Sequence, residues 1–297
     1  MKLATLRTGG NSTTAALAMG ADAYLPLPAP DVGALLSDPE WRNAVEAIAA
    51  AASDADVVHA SAAELAPLLP QAGKVICCGL NYSDHIREMG RELPEFPTLF
   101  AKYADTLTGA ADAIEVHGSS KVDWEAELAV VVGLPLFRAD EDQARHAIAG
   151  YTVANDVSMR DWQNRTLQWF QGKAFDATTP VGPVMVTTDD ADGDFDVRGY
   201  VNGELVQSGN TSTLVFSPAR LLSYISQFTV LRPGDLVLTG TPGGVGMGMK
   251  PPRFLNDGDV LTTEIDGIGR LENSVRIHQN DAGAAVRTPV TATSTKE

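Results

Sequence analysis

Between Lys74 and Arg276 the sequence is a succession of short β-rich runs cut by glycine and proline: KVICCG, WEAELAVVVG, GYTVAND, GPVMVTT, VRGYVNGELVQSG, GDLVLTG and GDVLTTEIDGIGRLENSVR. β-Branched residues suit a pleated, half-buried surface, and Gly or Pro at run ends marks turns, so this stretch must build sheets. Asn202-Gly203 and Asp266-Gly267 sit between alternating runs and predict hairpins. Helical patterns are fewer, over about 81–89, 140–148 and 217–228, the last opened by Ser217-Pro218 in cap and first-turn order. Residues 1–72 have a different texture, Ala-rich and with a helix predicted from Asp38 to about Ala52, capped by Ser37 or Asp38. The chain therefore divides into a small N-terminal domain (1–72), a β-rich domain carrying the chemistry (73–279) and a tail (280–297) without periodicity, expected to be disordered.

Composition excludes several classes of partner. With 44% hydrophobic and 20% charged residues the chain has ample material for a packed core. Its 22 Lys and Arg against 38 Asp and Glu give a formal charge of −16, which repels phosphate backbones and anionic lipid. No cluster of basic and aromatic residues offsets that repulsion, so nucleic-acid and membrane-surface roles are disfavoured. The N-terminus MKLATLRTGG lacks the apolar core of a signal peptide, and no apolar run approaches the roughly 18 residues of a membrane span, so a cytoplasmic location is expected. Cys77 and Cys78 are adjacent, a spacing unsuited to a relaxed disulfide, and read as two reduced thiols.

Two acids open the otherwise apolar segment Trp124-Glu125-Ala126-Glu127-Leu128-Ala129-Val130-Val131-Val132-Gly133. Residues two apart in a strand share a face, so Glu125 and Glu127 project together, roughly 6.6–7 Å apart at the backbone. The face continues as Ala129 and Val131 and turns inward, where paired carboxylates repel unless a cation or a shared proton compensates them. Taken alone, the pair more readily fits a strand end whose glutamates reach water. A second apolar run, Tyr151-Thr152-Val153-Ala154-Asn155, ends in Asp156, which either completes a three-carboxylate set or caps a helix over 157–163. Oxygen-only ligation selects Mg²⁺, Ca²⁺ or Mn²⁺, and the absence of Cys or His pairs at ligand spacing argues against zinc.

Directly after KVICCG, the segment Leu80-Asn81-Tyr82-Ser83-Asp84-His85-Ile86-Arg87-Glu88 places His85 and Glu88 one helical turn apart. A carboxylate there orients the imidazole and raises its basicity, the arrangement of a general base and its partner, although a solvated amphipathic helix gives the same spacing. Arg160 and Lys173 offer the local positive charge that an anionic substrate needs in an acidic protein, and Gln163 and Thr241 are further polar candidates. The run Gly243-Gly244-Val245-Gly246-Met247-Gly248 is not a dinucleotide loop: the sixth position from Gly244 is Met249, and Lys250-Pro251-Pro252 leave no helix N-terminus for a phosphate.

Five motifs occur in order: G-L-N-Y-S-D-H-I-R-E-M, W-E-A-E-L-A-V-V-V-G, G-Y-T-V-A-N-D-V-S-M-R-D-W-Q, G-K-A-F-D and L-T-G-T-P-G-G-V-G. Together they make the chain similar to the fumarylacetoacetate hydrolase family, in particular its small prokaryotic and acylpyruvase-like members, over about residues 74 to 276. The resemblance implies an α+β, mostly β fold, a mixed β-roll with a small, variable N-terminal α+β domain. It also implies a homodimer and a Mg²⁺ or Mn²⁺ site, with Ca²⁺ as a structural substitute. Glu125, Glu127 and Asp156 fall on the family's metal carboxylates, and His85 and Glu88 on its water-activating pair in a mobile lid. Lys173, Gln163 and Thr241 match positions lining the substrate and oxyanion pocket, and Arg160 matches more weakly. Phe100-Ala101-Lys102-Tyr103-Ala104-Asp105 departs from the Lys-Pro-Ser of many relatives, on the substrate side of the pocket. The implied reaction is hydrolytic C–C cleavage of a 2,4-dioxo acid, an acylpyruvate such as fumarylpyruvate, to pyruvate and a carboxylic acid. The same site suits decarboxylation of oxaloacetate or isomerisation of 2-hydroxyhepta-2,4-diene-1,7-dioate. A Ca²⁺-stabilised binding module is the non-enzymatic alternative, and it would unfold on chelation rather than lose turnover.

Overall fold

The computed structural model describes residues 1–10, 12–88, 92–191 and 193–278. The side chains of His85 and Glu88, and the tail expected to be disordered over 280–297, lie outside the described residues. Among the described residues, eleven strands form one large sheet and five form a second, so the fold is mostly β as the resemblance implies. The large sheet is built around Ala126–Val132, which runs antiparallel to Ile148–Asn155 on one side and Leu236–Leu238 on the other. Every residue of this strand is buried because both of its faces are covered. Ala126 and Leu128 pack on Val197, Ile265 and Leu271 of the second sheet. Val130 and Val132 pack beneath the helices Glu141–His146 and Pro218–Ser226. Ala129 and Val131 join Val32, Leu35, Trp41 and Val45 on the opposite face. Burial of each large apolar side chain contributes about 1.5–3 kcal/mol, which favours this strand at the centre over any edge position.

Outward from Ile148–Asn155 the sheet continues through Thr179–Thr187 to Lys2–Gly9, Ser12–Met19, Ala23–Pro26 and Val58–His59. On the other side it continues through Val75–Gly79, parallel to Leu236–Leu238, to Thr98–Lys102. Leu3 pairs with Met185, so the sheet runs across the division expected at residue 72. The second sheet has the order Glu204–Asn210, Asp196–Val201, Val260–Ile265, Gly269–His278, Ile114–His117. Both expected hairpins are present in it: Asn202 and Gly203 turn at φ of 52° and 80°, and Gly267 at 79°.

The helix expected from Asp38 begins at Trp41 and ends at Ala51, with no side-chain cap at Glu40. Ser37 instead closes a preceding short helix, Val32–Leu36, whose cap is Asp31, accepting the Ala34 N–H. The helix expected over 157–163 is also shorter, because Ser158–Met159 pairs with Val122–Asp123 and helix begins only at Arg160. Asp156 therefore caps nothing there, and the N-cap position is Met159. No described helix is long and apolar enough to cross a membrane.

Candidate active site

The sheet pairing itself assembles the acids. Ala126 lies opposite Asn155 and Glu127 opposite Ala154, so the start of one strand meets the end of the other, where Asp156 follows. Glu125 is fixed just before the strand: its N–H donates to Asn155 Oδ1 at 3.0 Å, and its carbonyl accepts the Asp156 N–H at 2.9 Å. Glu125, Glu127 and Asp156 each present an oxygen within 4.8 Å of the others. Glu127 is 1% exposed and Asp156 fully buried, so the water-exposed strand-end alternative does not hold for Glu127, while Glu125 is half-buried at the cavity.

Three cations surround the cluster. Lys173 Nζ bridges Glu125 Oε2 at 2.9 Å and Asp156 Oδ2 at 2.7 Å. Lys102 Nζ takes the other oxygen of Asp156 at 2.5 Å. Arg160 reaches Glu125 Oε1 at 2.8 Å and Asp123 Oδ2 at 2.7 Å, and donates to Gln163 Oε1 at 2.8 Å. Burial alone would raise Asp156, but the ammoniums of Lys102 and Lys173 outweigh it and hold its carboxyl below the ordinary value. Burial would lower Lys173 and Arg160, yet their carboxylate partners raise both, so they stay charged. Glu127 differs. Its Oε2 accepts the Gly240 N–H at 2.7 Å, but burial, Asp156 and Glu125 push its carboxyl well above the usual range. Among the described residues four acids thus face three cations, and the acid without a cationic partner of its own is Glu127, the more deeply enclosed glutamate of the cluster. That surplus buried carboxyl, disfavoured as an anion until a cation arrives, and the oxygen-only donor set fit a divalent cation of the Mg²⁺, Mn²⁺ or Ca²⁺ kind held by Glu125, Glu127 and Asp156.

Above the cluster opens a cavity of about 810 Å³, with Glu125, Arg160, Gln163 and Lys173 in its lining, Phe100 and Trp169 on its walls and the 244–250 loop at its lip. Lys173 reaches the floor because the helices Arg160–Gln163 and Phe170–Lys173 touch at Gly172, where a Cβ would lie 2.6 Å from the Gln163 nitrogen. The glycine run serves a similar close approach: at Gly246 a Cβ would lie 2.0 Å from the Arg253 carbonyl oxygen. Asp123 ties this loop to the site, accepting the N–H groups of Gly246 at 2.7 Å and Met247 at 3.0 Å while pairing with Arg160.

Of the residues expected to donate to substrate, Lys173 and Gln163 line the cavity with donors not used in the bonds above. Thr241 also lines it, but its single hydroxyl proton goes to the Ala126 carbonyl at 2.9 Å while its oxygen accepts from Gln207 Nε2 at 2.8 Å. Its hydroxyl is therefore a brace between strand and loop, not a free donor. His85 and Glu88 belong to the helix Ser83–Glu88, entered through Leu80 at φ 56°, and their pairing lies outside the described residues. Lys102, Asp123, Asn155 and Gln207 were not singled out as site residues. Lys102 had a signal, as the departure within Phe100–Asp105, since a lysine ending the strand Thr98–Lys102 needs a buried partner. Asp123 was visible as an acid beside Trp124, but its role depends on a loop more than a hundred residues away. Cys78 borders the cavity, and its thiol is pushed up to about 12 by burial and the nearby Glu127. It is an inert lining group.

A β-rich scaffold in which two adjacent strands deliver two buried carboxylates and one half-buried one to the foot of a cavity defines a class of enzyme site. The chain belongs to the fumarylacetoacetate hydrolase family: residues 74–276 match the family described as fumarylacetoacetate (FAA) hydrolase C-terminal. It is 45% identical over 207 residues to the mitochondrial oxaloacetate tautomerase fahd2 of Xenopus laevis, a stretch covering 68% of this chain and 65% of that protein. Among solved structures it is similar to fumarylacetoacetate hydrolase from Exiguobacterium antarcticum, with a TM-score of 0.78, 35% identity and coverage of 94% of this chain and 100% of that one. It is also similar to 2-hydroxyhepta-2,4-diene-1,7-dioate isomerase from Mycobacterium marinum, with a TM-score of 0.75, 31% identity and coverage of 93% and 98%.

Proposed function

We propose that this protein interconverts the keto and enol forms of a small 2-oxo dicarboxylic acid, with oxaloacetate the first substrate to test. The observation that carries the reading is Lys173 bridging Glu125 and Asp156 at the floor of the cavity, beside the carboxylate cluster. The relatives named as oxaloacetate tautomerases support this reading. The sequence points to oxaloacetate as a substrate for decarboxylation and to isomerisation of an unsaturated 2-oxo diacid, but not to tautomerisation of oxaloacetate itself. A divalent ion, Mg²⁺ or Mn²⁺, held by Glu125, Glu127 and Asp156 would draw electron density from the 2-oxo group and acidify the neighbouring C–H. The chain's residues do the rest. Lys173 and Arg160 keep positive charge beside the oxygen that becomes negative when the C3 proton leaves. The amide of Gln163 orients a substrate carboxylate, and the walls Phe100 and Trp169 exclude water. His85, with Glu88 as the partner the family resemblance implies, is assigned the proton transfer between C3 and the 2-oxo oxygen.

A second reading is hydrolysis of acylpyruvates such as fumarylpyruvate, favoured by the similarity to the Exiguobacterium hydrolase; in it His85 and Glu88 would act on water instead of carbon. A homodimer is inferred with both readings, and sedimentation checks it. The deciding experiment supplies Mg²⁺ or Mn²⁺ and follows three signals: enol absorbance of oxaloacetate, pyruvate formation from oxaloacetate, and pyruvate formation from fumarylpyruvate. Faster approach to an unchanged keto–enol ratio without pyruvate supports the tautomerase. Pyruvate from oxaloacetate would make it a decarboxylase, and efficient cleavage of fumarylpyruvate would make it a hydrolase.

A further inference from the structure

We propose that Glu115, His117 and His278 form a second metal site, on the five-stranded sheet, selective for a zinc-class transition ion over Mg²⁺. The strand Ile114–His117 runs parallel to Gly269–His278, with His117 directly beside His278. In-register neighbours on paired strands put their side chains on one face, and Glu115, two residues before His117, shares it. Each of the three offers a ligand atom within 4.8 Å of the others. The two imidazoles are stacked, with centroids 4.2 Å apart and planes 8° apart.

The backbone beneath this pair is pinned and the rings are free to adjust. Asp257 Oδ1 accepts the Ile277 N–H at 3.0 Å, and Trp162 Nε1 donates to the Gly118 carbonyl at 2.8 Å, fixing the neighbours of both histidines. Both rings are exposed and Glu115 is half-buried. Parallel rings aim their nitrogen lone pairs along parallel lines, so a shared ion requires each ring to tilt about χ2, a broad torsion in histidine. Two imidazoles and a carboxylate then leave one open position on a tetrahedral ion, and imidazole nitrogen favours Zn²⁺, Ni²⁺ or Cu²⁺ where Mg²⁺ prefers oxygen. His278 borders a cavity of about 840 Å³ that also holds Asp161 and Asp257, giving room for water or a small ligand at that position. The register also sets Arg276 beside Glu115, so its guanidinium competes with the ion for that carboxylate. An ion here would staple the edge strand Ile114–His117 to the last described strand of the sheet. The site is independent of the carboxylate cluster, which lies in the other sheet and offers only oxygen.

The test is calorimetric titration of Zn²⁺ in excess Mg²⁺, comparing the wild type with His117→Asn, His278→Asn, the double variant and Glu115→Gln. The wild type is expected to bind one more Zn²⁺ than the double variant, with each single histidine variant weakened about tenfold or more and Glu115→Gln less. Arg276→Ala is expected to tighten binding. On the unmodified protein, substoichiometric Cu²⁺ should selectively broaden the NMR signals of two of the five histidines, His117 and His278. Equal Zn²⁺ stoichiometry and affinity in the wild type and the double variant, or Cu²⁺ broadening that does not single out these two, would overturn the proposal.

Discussion

At Asp156 both carboxylate oxygens are ion-paired, one to Lys102 and one to Lys173, and all three side chains are buried. Removing one partner of a buried ion pair strands the remaining charge, at a cost of about 3–5 kcal/mol. Asp156→Ala is therefore expected to destabilise the protein by that order in chelator, read from denaturant unfolding. Glu127→Gln should behave oppositely. It replaces a carboxyl that burial and its acidic neighbours drive toward the neutral form with a neutral amide whose oxygen still accepts from Gly240, so the melting temperature in chelator should be unchanged or higher. A large loss of stability in Glu127→Gln would show that its charge is already balanced without an added ion. The thiol of Cys78, pushed up to about 12, predicts negligible alkylation of the native protein at pH 8 and complete alkylation in denaturant. Rapid native labelling would contradict the enclosure described for the cavity wall. The acids were legible because their two-residue spacing and strand-end position are local properties of the sequence. Their counter-ions were legible only as isolated charged residues, since nothing local says that Lys102 at the end of one strand meets Asp156 at the end of another.

The strands and helices differ in how far the sequence reveals them. The hairpins at Asn202-Gly203 and Asp266-Gly267 and the helix Pro218–Ser226 are set by turn and cap chemistry within a few residues, and they appear where expected. Lys2–Gly9 and Ser12–Met19 were not read as strands: they are rich in alanine and threonine, and what fixes the first of them is pairing with Thr179–Thr187, far along the chain. The same long-range pairing shortened the helix expected over 157–163, because Ser158–Met159 is drawn into a ladder with Val122–Asp123. The glycine loop shows how an element can be misassigned by motif alone, since its glycines admit the close approach of the Arg253 carbonyl and the Asp123 carboxylate. Gly246→Ala must displace that loop and presses on the buried Asp123 and Trp124 behind it, so KM for the 2-oxo acid is expected to rise several-fold and the melting temperature to fall. Unaltered steady-state kinetics in a folded Gly246→Ala protein would mean that the loop does not shape the substrate cavity.

Across the whole molecule, a net charge of −16 opposes the approach of a dianionic substrate such as the proposed oxaloacetate, although Lys173 and Arg160 present positive charge at the cavity floor. Salt screens the long-range repulsion more than the buried pairs, so kcat/KM for oxaloacetate is expected to rise up to the ionic strength where the Debye length is about 8–10 Å. A monotonic fall with salt would place the dominant field at the site itself. On the proposed function, the fold holds a mutually repelling set of carboxylates so that an added cation completes it, which would link the surplus carboxyl of Glu127 to turnover. The most direct test is the rate of oxaloacetate keto–enol interconversion in chelator-treated wild type and Glu127→Gln as Mn²⁺ is titrated back. The wild type should be inactive when stripped and recover saturably while remaining folded throughout, and Glu127→Gln should stay inactive at Mn²⁺ concentrations that saturate the wild type. Full activity in the stripped wild type, or an identical Mn²⁺ response in Glu127→Gln, would contradict a metal-centred role for the carboxylate cluster.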